Sequence, residues 1–163
     1  MNWVLAYDVR STDYLGTIAL SAGVGAVMMV LGVLLSLGVF SESASPPNVS
    51  GADARVVGRV MFVFAALWTA WVCLGSIAHH RTLAAALNDG TASVVEGPID
   101  HLRPIPRDGH GTEQIDVSGR HFEYADSIDT GAFNETGKLR AGETVRITYL
   151  NDEILRVELA SPR

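Results

Sequence analysis

At 163 residues and a formal charge of −6, the chain has room for two membrane helices and one small domain, but not for two globular cores. The charge is uneven: Thr82 to Arg163 holds 14 acidic and 8 basic residues (8 − 14 = −6), and the preceding 81 residues hold four of each. So acidic a C-terminal part repels nucleic-acid phosphates, and the single cysteine, Cys73, excludes an intramolecular disulfide.

In chain order, Met1 to Asp13 reads as a short amphipathic lead whose Trp3 and Tyr7 suit the headgroup layer. Tyr14 to Phe40 follows with no Asp, Glu, Lys, Arg or His. A helix rises about 1.5 Å per residue, so this run is long enough to cross a hydrocarbon core of about 30 Å. It is too long for the apolar core of a signal peptide and is taken as a retained helix. Its small residues Ser21, Gly25, Gly32 and Ser36 recur at spacings of four, seven and four, which places them on one face. Gly16, Ala19, Gly23 and Ala26 mark a neighbouring face. Such faces let helices approach closely in lipid.

Ser41 to Arg59 is rich in Ser, Gly and Pro and reads as a connection, with Pro46-Pro47 as a stop. Val60 to Ala78 is a second uncharged run, within a helix crossing at about 57–78. Its Ala66, Ala70 and Cys73 form a small-residue groove for the first helix or for another copy, and Trp68 and Trp71 read as packing residues near mid-span. Good helix formers continue to Asn88, where Asp89-Gly90 supplies a stop, so a helical stalk is expected beyond the membrane. The arginines flanking the membrane divide evenly, Arg10 and Arg81 against Arg55 and Arg59, so the positive-inside rule favours neither orientation. Neither run holds an ionisable residue to mark an ion path.

From Thr91 the pattern alternates. Strands are expected at Ser93–Leu102, broken at Gly97-Pro98, then at Gln114–Val117 and Arg120–Ala125 around Ser118-Gly119. Two more follow at Glu143–Leu150 and Glu153–Leu159 around Asn151-Asp152. Five short strands with polar turns suggest a small closed β-barrel, with an open five-stranded sheet as the alternative. The fold class is therefore a two-helix transmembrane hairpin (residues 1–90, with its lead and stalk) plus an all-β domain (residues 91–163), probed further by its motifs.

The segments Gly97-Pro98-Ile99-Asp100-His101-Leu102-Arg103-Pro104, Val117-Ser118-Gly119-Arg120-His121-Phe122, Arg140-Ala141-Gly142-Glu143-Thr144-Val145-Arg146-Ile147 and Leu155-Arg156-Val157 together resemble the C-terminal OB domain of NfeD-like membrane proteins. The resemblance covers about 65 residues. The insert Asp108 to Thr112 and the connection Ser127 to Leu139 depart from it. It implies a five-stranded OB-like barrel, a cytoplasmic domain at a bacterial inner membrane, and a binding role beside stomatin- and flotillin-type scaffolds. Eleven arginines against one lysine, Lys138, also fit a GC-rich bacterial genome.

The expected function is that of a membrane-anchored, non-enzymatic interaction module without a cofactor. Its partners are the lipid bilayer and another membrane protein or a second copy. The partner surface is expected on the loop Arg103, Pro104, Pro106 and His110 and at Phe133-Asn134, since loops on a rigid scaffold concentrate binding and an aromatic anchors an interface; the alternative is that Phe133 closes the barrel end and the prolines only shape a turn. The competing class is a metal-dependent enzyme using His101, His110 and His121. Their separations of 9 and 11 residues lack the short ligand pair that zinc sites usually show. Assembly through the Gly-rich helix is a third reading.

Overall fold

The computed structural model describes residues 2–11, 14–39, 51–106, 111–126 and 132–161. The order of elements is β1 (Asn2–Asp8), α1 (Tyr14–Ser36), α2 (Gly51–Asn88), β2 (Ser93–Arg103), β3 (Glu113–Val117), β4 (Arg120–Tyr124), β5 (Thr144–Leu150) and β6 (Glu153–Ser161). They divide into two compact units: residues 14–76, and residues 1–13 with 77–163.

The first unit pairs α1 with α2. Both are long and apolar enough to cross a membrane, and only 11% of the most apolar window of α1 and 6% of that of α2 is buried within the protein. Their apolar side chains therefore face outward, with Leu20, Phe64, Leu67 and Leu74 each at least 65% exposed. A helix that is apolar all round belongs in a core or in lipid, because water on this surface costs roughly 25 cal/mol per Å². Where the helices meet, side chains are small. Gly25 and Gly32 are buried on α1, and an added methyl at Gly32 would lie 2.8 Å from the Gly58 carbonyl oxygen and 2.9 Å from the Phe62 amide. The reciprocal position, Gly58, lies against the Ser36 amide and the Gly32 carbonyl.

The contact row on α2 is thus Gly58, Phe62 and Thr69, with Ala65 buried beside it. Ala70 is exposed and Ala66 half-buried, a rotation of about 100° from the expected groove. Trp68 and Trp71 are 44% and 81% exposed, so Trp71 in particular lacks, among the described residues, the packing role expected of it. Gly23 and Ala26 point away from α2, and the Gly23 face is open.

The second unit holds one antiparallel sheet of six strands in the order β1-β6-β5-β2-β3-β4, and it is not closed. The five-strand count therefore misses one strand. Residues 2–8, expected as an amphipathic lead, form strand β1, which pairs with β6 from Asn2↔Ser161 to Asp8↔Arg156. Tyr7 and Val9 enter the core, and the Trp3 ring stacks on the Arg146 guanidinium at 4.3 Å rather than standing free for lipid.

β2 is the hinge of the sheet. Ser93 to Pro98 pairs with β5 and Ile99 to Arg103 pairs with β3, so the proline that lacks an N–H sits at the exchange of partners. Ile99 then bonds back through its own N–H to the Glu143 carbonyl and accepts from the Gly142 N–H, both at 2.9 Å. Alternation gives each strand one apolar face: Ile99, Ile115, Val117, Phe122, Val145, Ile147, Leu155 and Val157 are at most 1% exposed. The end of α2 closes part of this core with Leu83 and Ala86. It stops at Gly90, whose φ of 67° supplies the left-handed residue of a C-cap.

Among the described residues three polar ones are buried, Asp8, Glu113 and Thr148, and Glu113 is the deepest. The Glu113 carboxyl, in a residue 2% exposed, accepts the Tyr124 hydroxyl at 2.6 Å and the Gly137 N–H at 2.9 Å, tying the β3–β4 hairpin to the loop before β5. Burial, and then this bond to Glu113, pushes the Tyr124 hydroxyl far above the ordinary phenol range. Removing a buried hydrogen bond to a charged group costs roughly 1.5–3 kcal/mol. Tyr124→Phe is thus expected to lower the stability of this unit by about 2 kcal/mol. Because the folded hydroxyl titrates higher than the unfolded one, its contribution is complete below about pH 10 and fades as pH rises above it. Denaturant unfolding at pH 7 and at pH 10.5 is expected to show a smaller gap between parent and variant at the higher pH.

Candidate functional site

The outer face of β2, β3 and β4 carries two polar rows set by register. His101, Asp116 and His121 are cross-strand neighbours, and so are Arg103, Gln114 and Glu123. Asp116 lies between the histidines: its Oδ1 is 2.7 Å from Nδ1 of His121 and its Oδ2 is 3.7 Å from Nδ1 of His101. All three side chains are 39% exposed or more. The structure brings two of the three candidate metal ligands to one carboxylate, which sequence reading had not paired with them. His110 lies outside the described residues. Among the described residues, no group of three or more His, Cys, Asp or Glu side chains is placed to hold a metal ion.

The expected partner surface divides. Arg103, Pro104 and Pro106 are exposed at the end of β2. Phe133, for which an exposed anchor stood against a residue closing the end of the β domain, is 4% exposed and so not an anchor, and Asn134 is half-buried. The Phe133 ring stands edge-on to Tyr7 (centroids 5.1 Å apart) and to Tyr124 (4.9 Å), and its N–H donates to the Ile154 carbonyl. It is part of the core because two aromatic rings and the start of β6 offer more apolar contact than water can.

Phe133 also lies where the two ends of the curved sheet approach each other without pairing. β4 is the last strand of the order, so among the described residues no strand flanks its second edge. Between that edge and the start of β6 runs a cleft of about 70 Å³, lined by Glu123, Tyr124, Ala125, Ala132, Phe133, Asp152, Glu153 and Ile154. Side chains bridge the seam below it. Arg120 donates to the Asn151 carbonyl at 2.6 Å and to Asp152 Oδ1 at 2.7 Å, and its guanidinium covers the Tyr149 ring at 5.0 Å. Above, Glu153 Oε1 is 2.9 Å from Nε2 of His79 on α2, and Glu123 accepts the Thr112 hydroxyl. The floor is apolar and the rim carries three carboxylates.

On the opposite side, the sheet of β1, β6, β5 and β2 carries a charge ladder. Arg10 holds the Asp8 carboxylate with Nε at 2.9 Å and Nη2 at 2.6 Å, and it reaches Asn88 at the end of α2. Arg156 lies 3.1 Å from Glu158, and Arg146 lies 3.0 Å from Glu96. The side-chain bond from Arg10, which outweighs the opposing effect of burial, holds the Asp8 carboxyl below the usual carboxylate range. A depressed carboxyl contributes stability above its unfolded value of about 3.9 and loses it as pH falls through the lower folded value. Arg10→Ala is expected to flatten this acid limb: from pH 5 down to pH 2, its midpoint of thermal unfolding should fall less than that of the parent.

Comparison with protein families, with curated proteins and with solved structures finds no match for this chain. The class of molecule is therefore defined by its own architecture: two long apolar helices joined in sequence to a small, open antiparallel β unit.

Proposed function

We propose that this chain is a membrane-anchored interaction module, in which the helical hairpin lies in a bilayer and the acidic β unit engages a membrane-associated protein. The observation that carries the proposal is the outward apolar surface of both helices, set against a β unit most of whose large apolar side chains turn inward, Val4, Leu5 and Val94 being exposed. Lipid is the solvent that suits the first, and water the second. The open seam and the polar face of β2, β3 and β4 offer the β unit a means of contact without chemistry.

The NfeD-like, OB-type reading belongs to the same proposal. Its support is connectivity: a first strand that changes partner at Gly97-Pro98, a hairpin on one side, and a second hairpin on the other. By that resemblance the β unit is cytoplasmic at a bacterial inner membrane and meets a stomatin- or flotillin-type scaffold. The test is affinity capture of the full chain from detergent-solubilised membranes. A stoichiometric membrane-protein partner is expected. Recovery of the chain in the soluble fraction without detergent would overturn the membrane assignment, and stoichiometric zinc that is lost in His101→Ala would replace the binding role with a metal-dependent one.

A further inference from the structure

The unpaired edge of β4 and the cleft beside it point to a particular kind of partner. We infer that the seam takes an extended peptide segment carrying basic side chains on either side of a small apolar one, added as a strand along β4. This deepens the proposed interaction role and rests on it. An edge strand presents unpaired N–H and C=O groups, and proteins that leave such an edge open use it for strand addition or protect it with charge. Here the charges are all of one sign on the rim. Glu123 belongs to β4 itself, while Asp152 and Glu153 stand across the cleft. Arg120 balances only Asp152, at 2.7 Å, and His79 meets Glu153. The Asp152 side chain is 85% exposed and that of Glu153 26%, so both remain open to an approaching cation.

The floor sets the rest of the specificity. Tyr124, Ala125, Ala132, Phe133 and Ile154 are buried and apolar, and about 70 Å³ admits one side chain of the size of alanine or valine. A strand places alternate side chains on the same face about 7 Å apart, so one apolar residue can point into the cleft while its neighbours reach the rim. An acidic segment would meet like charge on both walls, and a bulky aromatic one would not fit. The occupant consistent with edge, floor and rim is therefore a basic, extended segment of another protein.

The experiment uses the full chain in nanodiscs of neutral lipid and a fluorescein-labelled eight-residue probe of alternating lysine and valine, with a matched probe of glutamate and valine. Saturable binding of the lysine probe is expected, with none of the glutamate probe. Glu123→Lys/Asp152→Lys should weaken it roughly ten-fold or more, since two attractive pairs become repulsive. Asp89→Lys/Asp100→Lys changes the net charge equally, at the end of α2 and on β2, outside the cleft lining, and should leave binding within about two-fold, as screening at physiological salt confines charge effects to about 8 Å. Equal losses in the two double variants, binding of both probes alike, or no saturation by about 1 mM would overturn the inference. So would self-association of the full chain that is lost in the Glu123→Lys/Asp152→Lys variant, which would assign the cleft to a second copy. If capture of a membrane partner persists in that variant, the interaction role stands and this assignment of its site falls.

Discussion

A fragment beginning at Thr91 is expected not to fold, although it contains all five strands that follow α2. In the folded protein β1 lies along the whole of β6, and Tyr7 and Val9 bring side chains that are 7% and 0% exposed. Leu83 and Ala86, from the last turns of α2, are 1% and 7% exposed in the same core. Burying a large apolar side chain is worth about 1.5–3 kcal/mol, so losing Tyr7, Val9 and Leu83 removes roughly 5–9 kcal/mol. That equals much of the 5–15 kcal/mol by which a domain is usually stable. Deletion also opens a second long edge, on β6, beside the open edge of β4. The expected result is an aggregated or unfolded 91–163 fragment, detected by weak β-sheet circular dichroism and no cooperative melt. A single chain joining residues 2–11 to residues 77–161 through a flexible linker should melt cooperatively. Cooperative melting of the shorter fragment would mean that β1 and the end of α2 only decorate the core.

That expectation follows from the part of the fold that was hardest to read. Strands β2 to β6, α1 and the end of α2 show in the sequence to within a few residues, because alternation and unbroken hydropathy are local signals. But α2 begins at Gly51, inside the stretch 41–59 read as a connection, since the charges of Asp53, Arg55 and Arg59 end the apolar run without ending the helix. Trp3-Val4-Leu5-Ala6-Tyr7 carries no such signal: five apolar residues in a row fit a buried strand, a helix start or a membrane lead equally well. What makes it a strand is β6, some 150 residues away, and pairing over that distance leaves no trace in local period. The candidate site was legible in halves. That His101 and His121 both fall on strands shows in the alternation, but that β3 runs between those strands and sets Asp116 between the two rings follows only from a register that no composition reveals. Phe133 sits in a long connection where nothing separates an exposed anchor from a core residue until Tyr7 and Tyr124 are placed beside it. The cleft could not be read at all, since it exists because β4 and β6 fail to pair, and sequence patterns describe strands rather than the gaps between them.

The helical hairpin yields the second large effect. Gly58→Leu is expected to force α1 and α2 apart, whereas Gly25→Leu should be milder, although both glycines lie at the same interface. A side chain at Gly58 begins 2.5 Å from the Ser36 amide nitrogen and 2.6 Å from the Gly32 carbonyl oxygen, both backbone atoms of α1. Neither can move without the helix moving. At Gly25 the three nearest atoms all belong to the Thr69 side chain, whose Oγ1 and Cγ2 can turn away by a change of rotamer, so that only its Cβ, at 2.8 Å, asks for a shift of α2. Overpacking a tight core commonly costs about 1–3 kcal/mol, and separating two backbones also forfeits the close contact on which helix association in lipid depends. Cysteines at positions 36 and 58, in a chain whose Cys73 is replaced by serine, would not separate cost from geometry, because position 58 is itself the variable. Spin labels at Leu20 and Leu74, both exposed, report the helix separation instead. The distance between them should lengthen and broaden by several ångströms in Gly58→Leu and change little in Gly25→Leu. Equal distances in both variants would mean that the contact of Gly32 with Gly58 does not hold the hairpin together. Gly23→Leu supplies the reference, for nothing lies within 4 Å of the methyl it would add, and its distance should match that of the parent.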